Sequence, residues 1–369
     1  MGCIAVKNPC KHDFLRTTFC IFVGKNKIRT TRNKVMPPLK IIADEAIPFL
    51  KGVLEPYARI EYRPGRDFSS TDIRDADVLL IRTRTRCNQQ LLKGSPVRMI
   101  VTATIGFDHI DLDYCQQQGI EVVTAAGCNA RGVLQYIGAT LAHLSRLQGW
   151  TPKDKTLGII GVGHVGSLID EYARAWGFRV ITCDPPRQLR EHGDFLPLEE
   201  VARQADILTF HTPLDETTRH MVGTSLLRQV KSGTLIINAS RGEVVDEEAL
   251  LASGLPYVLD VWEHEPDLNP ILLDRALLAT PHIAGYSMQG KANATAMSVQ
   301  AISRRFGLPT SNWYPPHITP SQPRAIDWQQ LCDTIESHFD IEAESRFLKK
   351  HPEMFEAIRN GYRYREEYF

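Results

Sequence analysis

The sequence predicts an α/β protein built on two doubly wound parallel sheets, with a small α-rich module after them. Three observations carry that expectation. Short continuous apolar runs recur along the 369 residues, each the length of a strand buried on both faces. Helical patterns separate the runs, and such alternation marks βαβ units. One run also leads straight into a glycine-spaced turn and a helix, Ile159-Ile160-Gly161-Val162-Gly163-His164-Val165-Gly166, which opens a second unit of the same kind.

The elements follow in order. A strand is expected at 39–43, then a helix-like stretch at 47–56, then strands at 78–81, 99–103 and 122–124. A long amphipathic helix over 130–147 leads to a second set of apolar runs at 156–160, 180–183, 207–210, 234–238, 257–260 and 277–280. Six strands with intervening helices complete a doubly wound sheet. A helix at 290–306 has no place in that sheet, and its return to the first domain would make that domain discontinuous. Pro309, Pro315, Pro316, Pro320 and Pro323 mark a linker, and 328–369 reads as a helical module rich in charge and aromatics. The expected division is 36–138 plus 283–306, then 139–282, then 307–369.

Composition bounds the partners. Hydrophobic residues make up 43%, charged residues 23%, and the net charge is zero, so bulk charge gives no reason to expect a nucleic acid or a membrane. No apolar run is long enough to span a bilayer. Residues 1–35 stand apart, with eight basic side chains against Asp13 alone. Either translation begins at Met36 or these residues form a basic tail or targeting segment. Met1-Gly2-Cys3 resembles a myristoylation start, but Val6 stands where Ser or Thr is required. The eight cysteines form no CxxC pair and no zinc spacing. They read as free thiols of a reducing cytoplasm, with no metal site.

In the glycine loop, Gly161 permits a tight turn, Gly163 lets backbone approach a pyrophosphate, and Gly166 lets helix and strand pack closely. A glycine pattern alone is weak, since a βα turn without a ligand can share it. Asp184 strengthens it by closing the next strand 18 residues past Gly166. An acid there accepts hydrogen bonds from ribose hydroxyls and repels a 2′-phosphate, which favours NAD over NADP. Arg187, beyond Pro185-Pro186, could soften that preference.

Three further segments carry chemistry. Asn238-Ala239-Ser240-Arg241-Gly242 puts an arginine at a strand's carboxyl end, where its fork can grip a carboxylate. Its plain alternative is a surface salt bridge. Asp260-Val261-Trp262-Glu263-His264-Glu265-Pro266 and Thr280-Pro281-His282-Ile283-Ala284-Gly285-Tyr286 supply an acid and a histidine. Oxidation of a hydroxy acid needs a base for the hydroxyl proton, and a carboxylate behind an imidazole fixes its tautomer. Alone, His282 would be a structural histidine; the three segments after a dinucleotide loop favour catalysis.

From about Leu39 to Phe306 the chain resembles the D-isomer-specific 2-hydroxyacid dehydrogenase family, on the strength of these motifs. The resemblance implies a Rossmann NAD domain and a discontinuous flavodoxin-like substrate domain. It implies that Arg241 orients the substrate, Glu265 supports the base and His282 shuttles the proton. It adds His164, Val165, Thr212, Ala239, Ser240, Asp260 and Gly285 as cofactor contacts, beside Arg241. Thr83, Thr104 and Tyr286 match substrate-contacting positions. Finer stretches, Thr104-Ile105-Gly106-Phe107-Asp108-His109, Gly127-Cys128-Asn129 and Gly290-Lys291 among them, resemble a branch of the family with a phosphorylated substrate and a C-terminal dimerisation module. A homodimer is therefore expected. Arg82, Arg84 and Arg86 alternate after the 78–81 strand; continued strand geometry would put them on one face, as a phosphate-binding patch or as a solvated edge. Longer relatives continue past the segment equivalent to 361–368, so the module is expected to be abbreviated, with Arg365 a candidate to reach a neighbouring subunit's substrate. The alternatives are a dehydrogenase of the glycerate, lactate or phosphoglycerate type, and an NAD-sensing protein without catalysis.

Overall fold

The computed structural model describes residues 38–369. The basic segment, its three cysteines and the Met36 alternative lie outside the described residues.

The first sheet contains β1 (Lys40–Asp44), β2 (Arg59–Arg63), β3 (Val78–Ile81), β4 (Met99–Thr102) and β5 (Glu121–Thr124). All are parallel, in the order β2-β1-β3-β4-β5, the flavodoxin-like order. Ile41, Leu80 and Val101 point into one apolar cluster, and Ile42, Leu79 and Ile100 into another. Both faces are thus covered, which is why these strands read as continuous apolar runs.

Two features differ from expectation. Strand β2 was not anticipated, because Arg59, Glu61 and Arg63 alternate with Ile60 and Tyr62; an edge strand buries one face only. The stretch at 47–56 is a series of turns instead of a helix. Ile47, Leu50 and Leu54 are buried at helical spacing, which mimics a helix. Phe49 (φ 63°) and Gly52 (φ 87°) are left-handed, however, and Pro48 has no N–H to donate.

Helices α1 (Gln89–Leu92), α2 (Leu112–Gln118) and α3 (Ala130–Gln148) follow. The second sheet has β6 (Thr156–Ile160), β7 (Arg179–Cys183), β8 (Ile207–Phe210), β9 (Leu235–Asn238), β10 (Tyr257–Leu259) and β11 (Leu278–Ala279), all parallel. Its helices are α4 (His164–Trp176), α5 (Pro185–Glu191), α6 (Leu198–Gln204), α7 (Thr224–Leu227), α8 (Glu247–Ser253) and α9 (Pro270–Arg275). The order is β11-β10-β9-β8-β6-β7. The chain leaves β6 to one side for β7 and returns on the other for β8, opening a crevice at their carboxyl ends.

Helix α10 (Met288–Phe306) returns to the first sheet, where Val299 and Ile302 join Ile41, Leu80 and Val101. Helices α11 (Trp328–His338), α12 (Ile341–Lys350) and α13 (Phe355–Gly361) complete the described chain. They do not stand apart. Leu331, Ile335 and Phe339 enter the core between α3 and the second sheet, and Leu348 and Phe355 enter the core on its opposite face. Ser345 on α12 accepts the Ala279 N–H at 2.9 Å, covering the β11 edge. Phe369 is 1% exposed and its ring lies 5.5 Å from that of Tyr172 and 6.2 Å from that of Trp176. Phe369→Ala is expected to cost about 3–5 kcal/mol of stability, read as a lower denaturation midpoint at unchanged slope. A loss under about 1 kcal/mol would mean that the tail does not dock as described. Among the described residues no helix is long and apolar enough to cross a membrane.

Candidate active site

The crevice beside β6 is built by close approach. Gly161 has φ 84°, and a Cβ there would lie 2.7 Å from the His211 carbonyl oxygen. A Cβ on Gly166 would lie 2.0 Å from the Gly161 oxygen, while one on Gly163 would meet nothing within 4 Å. The first and third glycines therefore let strand, turn and helix touch, and the second leaves room for a ligand. Helix α4 begins there with Gly163 as its N-cap and no side chain capping it, so its first N–H groups can serve an anion. The Thr212 hydroxyl beside Gly161 is buried without a partner. The Asp184 carboxylate accepts from the N–H groups of Val162 (2.8 Å) and Arg187 (2.9 Å). Arg187 pairs with Glu191 at 2.6 Å and donates to the Val162 carbonyl at 2.7 Å. It braces the loop with its charge already met, so it gives no ground for softening the NAD preference. An orphaned hydroxyl, an open Gly163 and an uncapped helix start fit a dinucleotide. His164 is exposed, with its ring against Gly127, and Val165 is half-buried.

The catalytic segments cluster at neighbouring strand ends. Asn238 closes β9 and ties the turn: its Nδ2 donates to the Arg241 carbonyl at 2.8 Å, and its Oδ1 accepts from the Ser240 N–H at 3.1 Å. Ala239 lies half-buried in that turn. Arg241 donates to Asp108 at 3.2 Å and to the Ser240 carbonyl at 2.8 Å. Its guanidinium presses so closely on Gly106 that a Cβ there would lie 1.8 Å from Nη2.

His282 is left-handed, with φ 58°, a conformation that non-glycine residues adopt only when their surroundings impose it. Here Asp260 imposes it. Its carbonyl accepts the His282 N–H at 2.7 Å. Its carboxylate, 1% exposed, accepts from Thr280 Oγ1 at 2.7 Å and from the N–H groups of Ile283 and Ala284, both at 2.8 Å. The Asp260 carboxylate thus positions the histidine loop. Arg365 supports the same loop from behind. It is buried and donates to the carbonyls of Ile283 (3.0 Å), Gly132 (2.9 Å) and Ala284. Its Nη1 and Nη2 thus serve its own chain's backbone, which argues against a reach to a neighbouring subunit's substrate.

Glu265 meets His282 Nδ1 through Oε2 at 2.8 Å and accepts the Trp262 N–H at 3.0 Å. Burial pushes its carboxyl pKa up. The charge and hydrogen bond of His282, with help from Arg359 and Trp262, outweigh that and hold it below the ordinary carboxylate value. The carboxylate keeps the proton of the neutral imidazole on Nδ1, leaving Nε2 as the open lone pair.

These groups open on one cleft between the two sheets, about 880 Å³ including its solvent-open mouth. It is lined by Arg82, Thr83, Thr104, Arg241, His282, Gly285 and Tyr286. The expected substrate contacts and two of the three expected catalytic side chains thus share a surface, with Glu265 behind His282. Arg82 is held by Asp44, which is 0% exposed, at 2.9 Å. Arg84 and Arg86 do not share its face, because β3 ends at Ile81 and the chain turns. Arg84 pairs with Glu356 on α13 at 2.6 Å, and Arg86 is exposed and outside the cleft lining.

Among the lining residues that sequence reasoning missed are Asn129, Lys291, Arg359 and Tyr364. The Asn129 side-chain oxygen is buried without a partner, and its amide nitrogen packs on Gly285. Arg359 lies 3.6 Å from Glu265 and 3.3 Å from the Tyr286 hydroxyl. Lys291 was legible only as the residue after Gly290 in a matching stretch. Nothing local singles out Arg359 among the tail arginines, since the register of α13 alone decides which of them faces the cleft.

Comparison with known proteins agrees with this geometry. Residues 132–284 match the family "D-isomer specific 2-hydroxyacid dehydrogenase, NAD binding domain". The erythronate-4-phosphate dehydrogenase of Bacteroides thetaiotaomicron is 44% identical over 342 residues, covering 89% of this chain and 97% of that one. The enzyme of the same name from Porphyromonas gingivalis is 40% identical over 340 residues, covering 88% and 92%. Among solved structures, NAD-bound 3-phosphoglycerate dehydrogenase of Entamoeba histolytica superposes with a TM-score of 0.63 at 26% identity, covering 74% of this chain and 98% of that one.

Proposed function

The chain belongs to the D-isomer-specific 2-hydroxyacid dehydrogenases and, among them, to the erythronate-4-phosphate dehydrogenases, and we propose that it oxidises 4-phospho-D-erythronate to 2-oxo-3-hydroxy-4-phosphobutanoate with NAD, a step of pyridoxal 5′-phosphate biosynthesis. One observation carries this reading. The His282–Glu265 pair opens on a cleft whose other charged lining residues, Arg82, Arg241, Lys291 and Arg359, are all cations. A substrate with a carboxylate at one end and a phosphate at the other suits such a lining.

The residues take these roles. Gly161, Gly163, Gly166 and the α4 N-terminus receive the pyrophosphate, with His164 and Val165 beside it. Asp184 takes the ribose hydroxyls. Thr212, Ala239, Ser240 and Gly285 border the path to the cleft. Bound NAD supplies the hydride acceptor. Arg241 grips the substrate carboxylate and polarises the oxygen on C2. His282 Nε2 takes the C2 hydroxyl proton as C2 becomes a carbonyl carbon. Glu265 stabilises the imidazolium that results. Thr83, Thr104 and Tyr286 orient the remaining C3 hydroxyl, and Arg82 adds charge at the end of the cleft near β1 and β3.

A spectrophotometric assay with 4-phospho-D-erythronate and with D-erythronate tests the reading. Removing the phosphate is expected to lower kcat/KM by about 10³-fold or more, because it deprives the cationic cleft of the anion that complements it. Comparable rates on the two acids would point to another hydroxy acid as substrate.

The likeness of the C-terminal module, and the exposed apolar side chains of Ile271, Phe347 and Met354 on or beside its helices and α9, support a homodimer. A monomer in sedimentation at micromolar concentration would overturn it. The buried free thiols Cys87, Cys115, Cys128 and Cys183 support a cytoplasmic setting, which recovery from another cell fraction would contradict.

A further inference from the structure

Lys291 is a half-buried cation in the cleft lining for which no carboxylate among the described residues provides a counter-charge. It stands in the first turns of α10, just past Gly290, whose N–H is capped by Ser287 at 3.0 Å. A helix start carries positive partial charge, so it is a poor place for an ammonium group. Nζ lies 3.7 Å from the centre of the Tyr286 ring and 5.2 Å from that of Tyr364. The titratable and charged groups that act on it are Cys128, Arg82 and Arg359. Burial pushes the Cys128 thiol up to about 12, so it is neutral near pH 7. Arg82 has Asp44, and Arg359 shares Glu265 with His282. Among the described residues no carboxylate pairs with Lys291.

Taking an unpaired charge even partly out of water is costly, and cation–π contact with Tyr286 offsets only part of that cost. Three cations therefore line the cleft, Arg82 and Arg359 both acting on Lys291, and Lys291 is the one of the three without an anion. Arg241 is engaged elsewhere, against Gly106 and Asp108.

We propose that Lys291 is the residue that recognises the phosphate end of the substrate, which supplies its missing counter-ion beside Arg82 and Arg359 and leaves Arg241 to the carboxylate. The inference rests on the phosphorylated substrate proposed above. It has a consequence for pH. Burial, assisted by Arg82 and Arg359 and opposed by Cys128, brings the Lys291 pKa down to about 8 in the empty cleft. A bound dianion raises it again. Affinity for the phosphorylated acid is then full below pH 8 and falls above it, because binding must take up a proton.

The test compares wild type, Lys291→Met, Lys291→Gln and Lys291→Arg in the full chain. It measures kcat/KM for 4-phospho-D-erythronate and for D-erythronate from pH 7 to 10, with NADH fluorescence titration as the check on folding. In the Met and Gln variants the preference for the phosphorylated acid is expected to fall on the order of 100-fold. The Arg variant keeps much of the preference and loses the decline above pH 8. If Met and Gln lower both substrates equally, or neither, Lys291 serves the structure or the Tyr286 ring and the assignment is overturned. If wild type itself shows no preference for the phosphorylated acid, the proposed function fails first.

Discussion

Replacing His282 with glutamine is expected to lower kcat by about 10³-fold while the Kd for NADH stays within about threefold. Glutamine retains the length and one hydrogen bond to Glu265, but it cannot accept the C2 hydroxyl proton. The dinucleotide cradle lies at the β6 and β8 ends, formed by Gly161, Gly166 and Thr212, so its affinity should not follow the loss of the base. Folding is a fair concern, because the substitution leaves Glu265 with Arg359 at 3.6 Å and the Trp262 N–H at 3.0 Å. The sign of the linkage addresses it. The folded Glu265 carboxyl lies below its ordinary pKa, so its contribution to stability is present above the unfolded value and is lost as pH falls through the folded one. Weakening that pair raises the folded value toward the ordinary one, and the cost is largest at neutral and alkaline pH. Kinetics at pH 7 should therefore be paired with melting curves at pH 7 and at descending acidic pH, along which the difference between the two proteins should shrink. A variant that keeps more than a tenth of wild-type kcat, or one that melts normally yet no longer binds NADH, would remove His282 from the role of base.

How much of this was written in the sequence depends on distance along the chain. The central strands were legible because Ile41 and Ile42, or Leu79 and Leu80, are buried on opposite faces and leave a continuous apolar signature. Strand β2 was not, because half its residues face water. The turns at 47–56 were misread because Ile47, Leu50 and Leu54 satisfy helical spacing while the left-handed Phe49 does not announce itself. Arg241, Glu265 and His282 were legible because each sits in a motif directly after a strand, where a doubly wound sheet places its ligands. Arg359 and Tyr364 arrive from the last 11 residues by tertiary packing that no local pattern encodes. The tail arginine that looked functional, Arg365, faces backbone carbonyls, whereas Arg359 faces the cleft. Asp260 shows the complementary limit. Its motif marked it as part of the site, and only the structure shows that its carboxylate also holds the backbone after His282.

Arg241→Lys, which preserves charge, is expected to cost about 10³-fold in kcat/KM. Three observations make the residue irreplaceable by a simple cation. Its Nη1 donates to the Ser240 carbonyl at 2.8 Å, which sets the plane of the fork. Gly106 is bare of a side chain where Nη2 passes, a Cβ there lying 1.8 Å away. Its Nε contact with Asp108, at 3.2 Å, is a partly exposed pair, weak enough for a substrate carboxylate to displace. A lysine in this place keeps one positive charge but loses the second parallel donor that fixes the carboxylate beside the reacting carbon. Loss of positioning should fall mainly on kcat, since transition-state geometry depends on it more than ground-state binding does. Gly106→Ala provides an independent probe. It leaves Arg241 in the sequence but forces its fork aside, so it should reproduce the kcat defect of Arg241→Lys, and the double variant should be little worse than either single one. Losses that multiply in the double variant, or a Lys variant within about tenfold of wild type, would mean that Arg241 acts as a point charge and that its fork geometry is incidental to catalysis.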